Sequence, residues 1–260
     1  MRRSGTATSS VRARRWRRTL LSDTRMGGWA DGPLWNLIVD AVGRSGEYNM
    51  AMDEALLEEV ACHGGAYLRF YRWDPPTLSL GRNQPNTFSD VPIVRRPTGG
   101  QAVWHEHEVT YAVVAPIALF GSLRKAYCEI HTRLARALRG LGVEAILAAA
   151  HRPIRPSAHP PSCFAAAVGG EIIVHGRKLV GSAQVRRGQA FLQHGSILLD
   201  GTQPFPAGGE TTVVTVLGRS VSFEQVVAAV SETWGEPFQP TAHPPIRPSA
   251  HPEIASPAAR

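Results

Sequence analysis

The chain has 260 residues, 43% hydrophobic and 19% charged, which is enough apolar material for one large packed domain and too much for a wholly disordered chain. No apolar run approaches the ~20 residues that a bilayer-spanning helix needs, so no membrane partner is expected. The formal charge of +7 suggests nucleic acid, yet eight arginines and one acid in the first 25 residues account for all of it, so a nucleic-acid partner is not expected for the rest.

Residues 1–25 are basic, rich in Ser and Thr, and without hydrophobic periodicity. They read as a disordered arm, as an organelle transit peptide, or as an extension upstream of a true start at Met26, and the last reading is favoured because patterned chain begins near Trp35. Trp35–Val39 is expected as a strand and Tyr48–Ala61 as a helix, with Met50, Ala51, Ala55, Leu56 and Val60 at helical spacing and Gly64-Gly65 as its stop. Tyr67–Trp73 alternates as a strand does, and Pro75-Pro76 turns the chain.

Short strands are expected at Thr77–Leu80, Ile93-Val94, Ala102–Trp104 and Val109–Val114. Leu123–Leu141 carries a second amphipathic pattern ending at Gly140 and Gly142. Strands follow at Val143–Leu147, Glu171–Val174, Lys178–Val185 and Ala190–Leu199, and a last helix at Phe223–Trp234. Long helices beside many strands predict an α+β domain with mixed, mainly antiparallel sheets packed against helices. Its limits are set at residues 30–235, with 236–260 as a Pro-rich disordered tail.

The segment Ala150–Pro160 recurs as Ala242–Pro252 with ten of eleven positions identical. Its proline density forbids regular helix. A duplicated flexible linker is favoured over a metal-binding tract, although four of the ten histidines lie in the two copies. The three cysteines, Cys62, Cys128 and Cys163, make neither a disulfide framework nor a zinc pattern, and they fit a reducing compartment. Cys62 and Cys128 fall within helical patterns and are expected to be buried packing residues. His105 and His107, two apart, would share one face of a strand as a metal pair, but no third ligand accompanies them, so no metal is expected.

Three strings carry the chemistry. In Arg95-Arg96-Pro97-Thr98-Gly99-Gly100-Gln101-Ala102-Val103-Trp104-His105, paired glycines let backbone approach a ligand, and arginines offer forked donors to phosphate or carboxylate. In Gly176–Gln184, Lys178 precedes the small residues Gly181, Ser182 and Ala183 and then Gln184, so its ammonium either lies on an exposed strand or faces a pocket. In Gln193-His194-Gly195-Ser196, a polar step interrupts an apolar strand, and its groups must find partners or line a cavity.

Together these strings resemble the catalytic domain of lipoate-protein ligases, octanoyltransferases and, more distantly, biotin-protein ligases. The family's Arg-Arg-x-(Ser/Thr)-Gly-Gly-x-Ala-Val segment is similar to Arg95–Val103, its Gly-x-Lys-x-x-Gly-Ser-Ala-Gln segment to Gly176–Gln184, and its Gln-His-Gly-(Ser/Thr)-(Ile/Leu)-Leu segment to Gln193–Leu198. Asn49–Leu57 and Arg69–Gly81 match as well. The resemblance runs from about Trp35 to Leu199 and implies a class II biotin/lipoate ligase-like catalytic domain.

Within the family, Ser162-Cys163-Phe164, with Lys178 fifteen residues beyond the cysteine, resembles the cysteine-type octanoyltransferase. That likeness implies octanoyl transfer from acyl carrier protein, through a Cys163 thioester aided by Lys178, to a lysine of a lipoyl-carrier domain. The carrier would be a glycine-cleavage H protein or a dehydrogenase E2 domain. No cofactor is implied. ATP and magnesium enter if the chain is instead a lipoate-protein ligase, and a non-catalytic carrier-binding relative is the third reading.

Substrate contacts are expected from Arg96, Thr98, Gly99, Gly100, Gln101, Ala102, Val103, Trp104 and His105, from Gly181, Ser182, Ala183 and Gln184, and from His194 and Gly195. Val103, Trp104 and Leu192 are expected as acyl-chain walls. Gln101 stands where many ligases have a third glycine and would crowd nucleotide phosphates. Ala165-Ala166-Ala167 is blander than the family's usual segment. The expected location is the cytoplasm, or an organelle matrix if residues 1–25 are a transit peptide.

Overall fold

A computed structural model describes residues 34–88, 90–149, 163–164, 169–203, 209–235 and 237–241. The expectations for residues 1–25, for both copies of the repeat and for Ala165–Ala167 lie outside the described residues.

The first half of the domain is β1 (Trp35–Arg44), α1 (Gly46–His63), β2 (Ala66–Trp73), β3 (Thr77–Leu80), β4 (Ile93–Arg95), β5 (Val103–His105), β6 (Glu108–Pro116) and α2 (Leu123–Gly140). The second half is β7 (Ile146–Leu147), β8 (Ile172–Val174), β9 (Arg177–Arg187), β10 (Ala190–Leu198), α3 (Val213–Leu217), α4 (Phe223–Trp234) and β11 (Phe238–Pro240). Helix ends follow local chemistry. The Ser45 hydroxyl accepts the Tyr48 N–H at the start of α1, Gly64 at φ 80° closes it, and Ser222 with Gln225 forms a capping box on α4.

Eight strands form one sheet in the order β11-β1-β2-β6-β10-β9-β8-β7, and β4-β3-β5 form a second. β1 pairs parallel with β2 and β11, and β3 with β4; every other named pairing is antiparallel. This is the α+β, mainly antiparallel architecture expected.

The period-2 alternation of strands explains how the large sheet is covered on both faces. Leu68, Phe70, Val109, Tyr111 and Val113 point to one face, where they pack with Ile130 and Leu134 of α2 and Val226 and Trp234 of α4. Tyr71, Ala112, Val114 and Leu192 point to the other, against Met50, Leu56, Leu57 and Val60 of α1.

Two expectations change here, and one short helix is added. Phe238–Pro240, placed in the tail, adds a strand beside Trp35–Leu37, so the paired structure runs past residue 235. Three residues of unremarkable pattern become a strand because the open edge of β1 offers them partners. Helix α3 is too short for its periodicity to be legible. Cys62 and Cys128 are exposed rather than packed, because they lie on the solvent sides of α1 and α2.

Candidate active site

A pocket opens on the α1 side of the large sheet, with about 320 Å³ of empty space when its open mouth is counted. Met50 comes from α1, Tyr71 and Trp73 from β2, and Arg96, Val103 and His105 from the three-stranded sheet and its loop. Thr110, Gly181–Ala183 and His194–Ser196 come from neighbouring strands of the large sheet, and Cys163 completes the lining.

Register puts small residues where space is needed. Gly181 pairs with Ser196, and Ala183 with His194. A Cβ on Gly181 would lie 3.3 Å from Cys163 Sγ and 3.0 Å from the Phe164 ring. Gly195 has no room for a side chain either, since a Cβ there would meet the Gly181 carbonyl oxygen at 2.4 Å.

Cys163 is half-buried, and its N–H donates to the Ala102 carbonyl at 3.0 Å, which ties the thiol to the start of β5. Lys178 reaches it from β9. Its Nζ donates to the Cys163 carbonyl at 2.8 Å and lies 3.7 Å from Sγ. A third bond runs from Nζ to Glu171 Oε1 at 2.6 Å, and Lys178 is only 2% exposed. Sequence reasoning brought Cys163 and Lys178 forward but missed Glu171, which stood only as the first residue of an expected strand.

The Arg95-Arg96 pair does not stand ready for a free anion. Arg96 Nη1 donates to the Ser79 carbonyl and hydroxyl, both at 2.8 Å, and Nη2 to the carbonyls of Gly99 at 3.0 Å and Gln101 at 2.9 Å. Arg95 donates to the carbonyls of Gly81, Arg82 and Gln84. Both guanidiniums brace the glycine loop. Gly81 must be glycine for the same reason, because a Cβ there would strike the Gly100 carbonyl oxygen at 2.0 Å. Burial pushes the Arg96 pKa down, while a negative charge on Cys163 would hold it up.

The polar residues around the pocket are bonded into layers behind it. His194 Nδ1 donates to Asp53 Oδ2 at 2.8 Å, and its Nε2 meets Thr98 Oγ1 at 2.7 Å. Asp53 also accepts from Tyr71 OH at 2.9 Å and Arg69 Nη1 at 2.8 Å. Burial works to raise the Asp53 pKa, but the His194 bond, the Arg69 charge and the Tyr71 hydroxyl together hold it below the ordinary carboxylate value. Burial holds His194 down, as a neutral ring.

His105 stacks on Trp73 with ring centroids 3.9 Å apart, and its nitrogens meet Glu108 Oε1 at 2.7 Å and Ser79 Oγ at 2.6 Å. Behind Ser182, His131 Nδ1 donates to the Gly170 carbonyl at 2.6 Å, which leaves Nε2 to accept from the Ser182 hydroxyl at 2.8 Å. Burial, only partly opposed by that carbonyl, lowers the His131 pKa to about 4. Of these rings, His105, Trp73 and His194 line the pocket, and His131 stands behind it.

Several expected contacts lie elsewhere. Thr98 is fully buried behind His194, and Gly99, Gly100 and Gln101 curl around Arg96. Ala102 packs in the small-sheet core, and Gln184 bonds Gln193 and the Leu123 carbonyl. Of the three expected acyl walls, Val103 lines the pocket. Trp104 turns to the small sheet and donates to Glu106, and Leu192 is buried against α1. His105 and His107 do not share a face, because the strand ends at His105; His107 is exposed beside Gly201 while His105 is buried.

This fold defines a class. The α+β arrangement is shared with "lipoate-protein ligase A bound with ATP" at TM-score 0.63 and 22% identity, over 80% of this chain and 88% of that one. It is also shared with a bi-partite lipoate protein ligase from Thermoplasma acidophilum at TM-score 0.59 and 20% identity, over 80% and 87%. The chain belongs to the family of the lipoyl protein ligase A/B catalytic domain, which matches residues 45–235.

Within that family it is similar to octanoyltransferase LipM of Carboxydothermus hydrogenoformans, 45% identical over 64% of this chain and 65% of the relative. Octanoyltransferase LipM of Symbiobacterium thermophilum is 37% identical over 74% and 81%. The match spans 65% or 66% of the length of several such relatives, a little under two thirds.

Proposed function

We propose that the chain is an octanoyltransferase that moves an octanoyl group from acyl carrier protein to a lysine of a lipoyl-carrier domain, by way of a thioester on Cys163. The observation that carries this reading is the Cys163 sulfur lying 3.7 Å from the Lys178 ammonium at a pocket with apolar lining. The thiolate is the nucleophilic form of cysteine, and the ammonium stands where it would balance that charge. The similarity to octanoyltransferases supports the same chemistry.

In the first half-reaction the Cys163 thiolate attacks the carbonyl carbon of the carrier thioester. A new carbon–sulfur bond forms, the bond to the carrier's sulfur breaks, and the carrier leaves as a thiolate that takes up a proton. One thioester replaces another, so little driving force is needed. In the second, the neutral amine of the acceptor lysine attacks. The carbon–nitrogen bond forms, the amine gives a proton to solvent, and the Cys163 thiolate departs beside Lys178. The acyl chain lies in the pocket, where each buried CH₂ contributes about 0.8 kcal/mol.

The acceptor is a small lipoyl domain of the H-protein or E2 kind, and no cofactor is required. A reducing compartment such as the cytoplasm suits a free nucleophilic thiol. No helix among the described residues is long and apolar enough to cross a membrane.

The test is intact-mass measurement after mixing with octanoyl-acyl carrier protein. The wild type gains one octanoyl group and Cys163→Ala gains none. Lipoyl-adenylate formed from lipoate and ATP, indifferent to Cys163, would replace this reading with that of a ligase.

A further inference from the structure

An ammonium has three N–H donors, and all three of Lys178 are assigned: to the Cys163 carbonyl, to Glu171 Oε1, and towards Cys163 Sγ. The carbonyl is neutral at all times. In the cycle above the sulfur carries charge only while Cys163 is free, because the thioester is neutral. Glu171 alone supplies a constant negative charge, since among the described residues it holds the one carboxylate within 4 Å of Nζ. A buried ammonium that loses its counter-ion tends to give up its proton.

We propose that Glu171 is a positioning residue that keeps Lys178 charged and aimed at the sulfur while the octanoyl thioester is loaded, so that a cation is in place when the Cys163 thiolate departs. The inference rests on the thioester reading of Cys163.

The other groups around the pair do not substitute for Glu171. Arg96 adds a positive charge felt at Cys163. His131 is neutral, and the Lys178 charge helps keep it so. Tyr111 and Tyr127 are held protonated by burial, with Glu171 adding to that effect. Phe164 offers its ring 5.4 Å from Nζ, and Glu210 sits opposite Lys178 in a β-bridge without a side-chain ion pair to it. Loss of the Glu171 charge therefore leaves Lys178 without a carboxylate at ion-pair distance among the described residues whenever the sulfur is acylated.

The experiment separates the half-reactions by intact-mass single turnover. Enzyme is loaded from octanoyl-acyl carrier protein, isolated, and then mixed with a lipoyl domain. Glu171→Gln is expected to slow transfer from the loaded enzyme at least about tenfold more than it slows loading. Glu171→Asp, which returns a carboxylate, should restore much of the transfer step. Equal slowing of both half-reactions would overturn the inference and leave a purely structural carboxylate. Wild-type transfer in Glu171→Gln would overturn it as well, with the Cys163 adduct intact.

If Glu171→Gln does not fold, Lys178→Met is compared with Lys178→Met/Glu171→Gln. A carboxylate acting through Lys178 has nothing further to lose in the methionine background, so a further tenfold fall in transfer would overturn the inference. Absence of any Cys163 adduct on the wild type would overturn the thioester reading and this inference together.

Discussion

Arg69 and Lys178 are both buried cations with carboxylate partners, yet their remaining donors end in different places. Arg69 donates to Asp40, to Asp53 and to both the carbonyl and the side chain of Asn49, and it stacks over Tyr71 at 4.0 Å. Each partner is a structural group of β1, β2 or α1, and the cluster fastens α1 to the sheet. Lys178 has one donor on a carbonyl and one on Glu171, and its third is directed to a half-buried thiol. A buried charge whose partners are all internal is a brace. One that keeps a donor for a half-buried thiol at a pocket has the arrangement the proposed reaction needs.

Four substitutions sharpen or break that comparison. Cys163→Ala has the largest expected effect: octanoyl transfer falls at least roughly 10³-fold, as it does when a nucleophile is removed from other enzymes, while the urea midpoint moves little. Retention of transfer in that variant would put Cys163 outside the chemistry. Asp53→Ala is expected to cost about 3–5 kcal/mol in urea unfolding, because Arg69 is left buried without one of its partners. The folded fraction should still take up octanoyl on Cys163. A variant that unfolds normally but forms no adduct would move the Asp53 cluster from scaffold to chemistry.

The third concerns acid. His131 is held at about 4, against an ordinary 6.5, so between those values the unfolded chain binds a proton that the folded one refuses. Stability is therefore complete above pH 6.5 and falls as the pH drops towards 4, by about 3 kcal/mol at most from this group. His194, also depressed, adds in the same direction. His131→Gln should flatten urea midpoints measured from pH 7 to 4.5, and an unchanged slope would assign the acid sensitivity elsewhere. The smallest effect is expected of Gly181→Ala. Its Cβ would press on Cys163 Sγ and Phe164, slowing octanoyl loading roughly tenfold at a stability cost of about 1–3 kcal/mol. Loading at the wild-type rate would show that the space above the sulfur is not limiting.

Most elements were legible because their signals are local. The alternation of Tyr67–Trp73, the helical spacing of Met50 to Val60, and glycines at strand and helix ends all act within a few residues. The strand at Phe238–Pro240 escaped because its only cause is the vacant edge of Trp35–Leu37, about two hundred residues away. Asp53 lay inside a quoted motif, but an acid near the start of a helix has the same pattern whether it faces solvent or Arg69. Arg96 was expected to face a ligand; it lines the pocket while its guanidinium also holds the glycine loop. Donor geometry suited to an anion suits carbonyl oxygens equally, and nothing in the string separates the two.

The amino-acid order by itself determined the architecture and the family, and it set Cys163 and Lys178 apart, because periodicity and motif strings are properties of neighbouring residues. Only the tertiary structure decided that Glu171 holds Lys178, that Thr98 and Asp53 stand behind His194, and that Trp104 turns away from the pocket. The His194 contacts join elements about one hundred residues or more apart, and Glu171 and Lys178, seven residues apart, are brought together by the pairing of β8 and β9 rather than by any local preference.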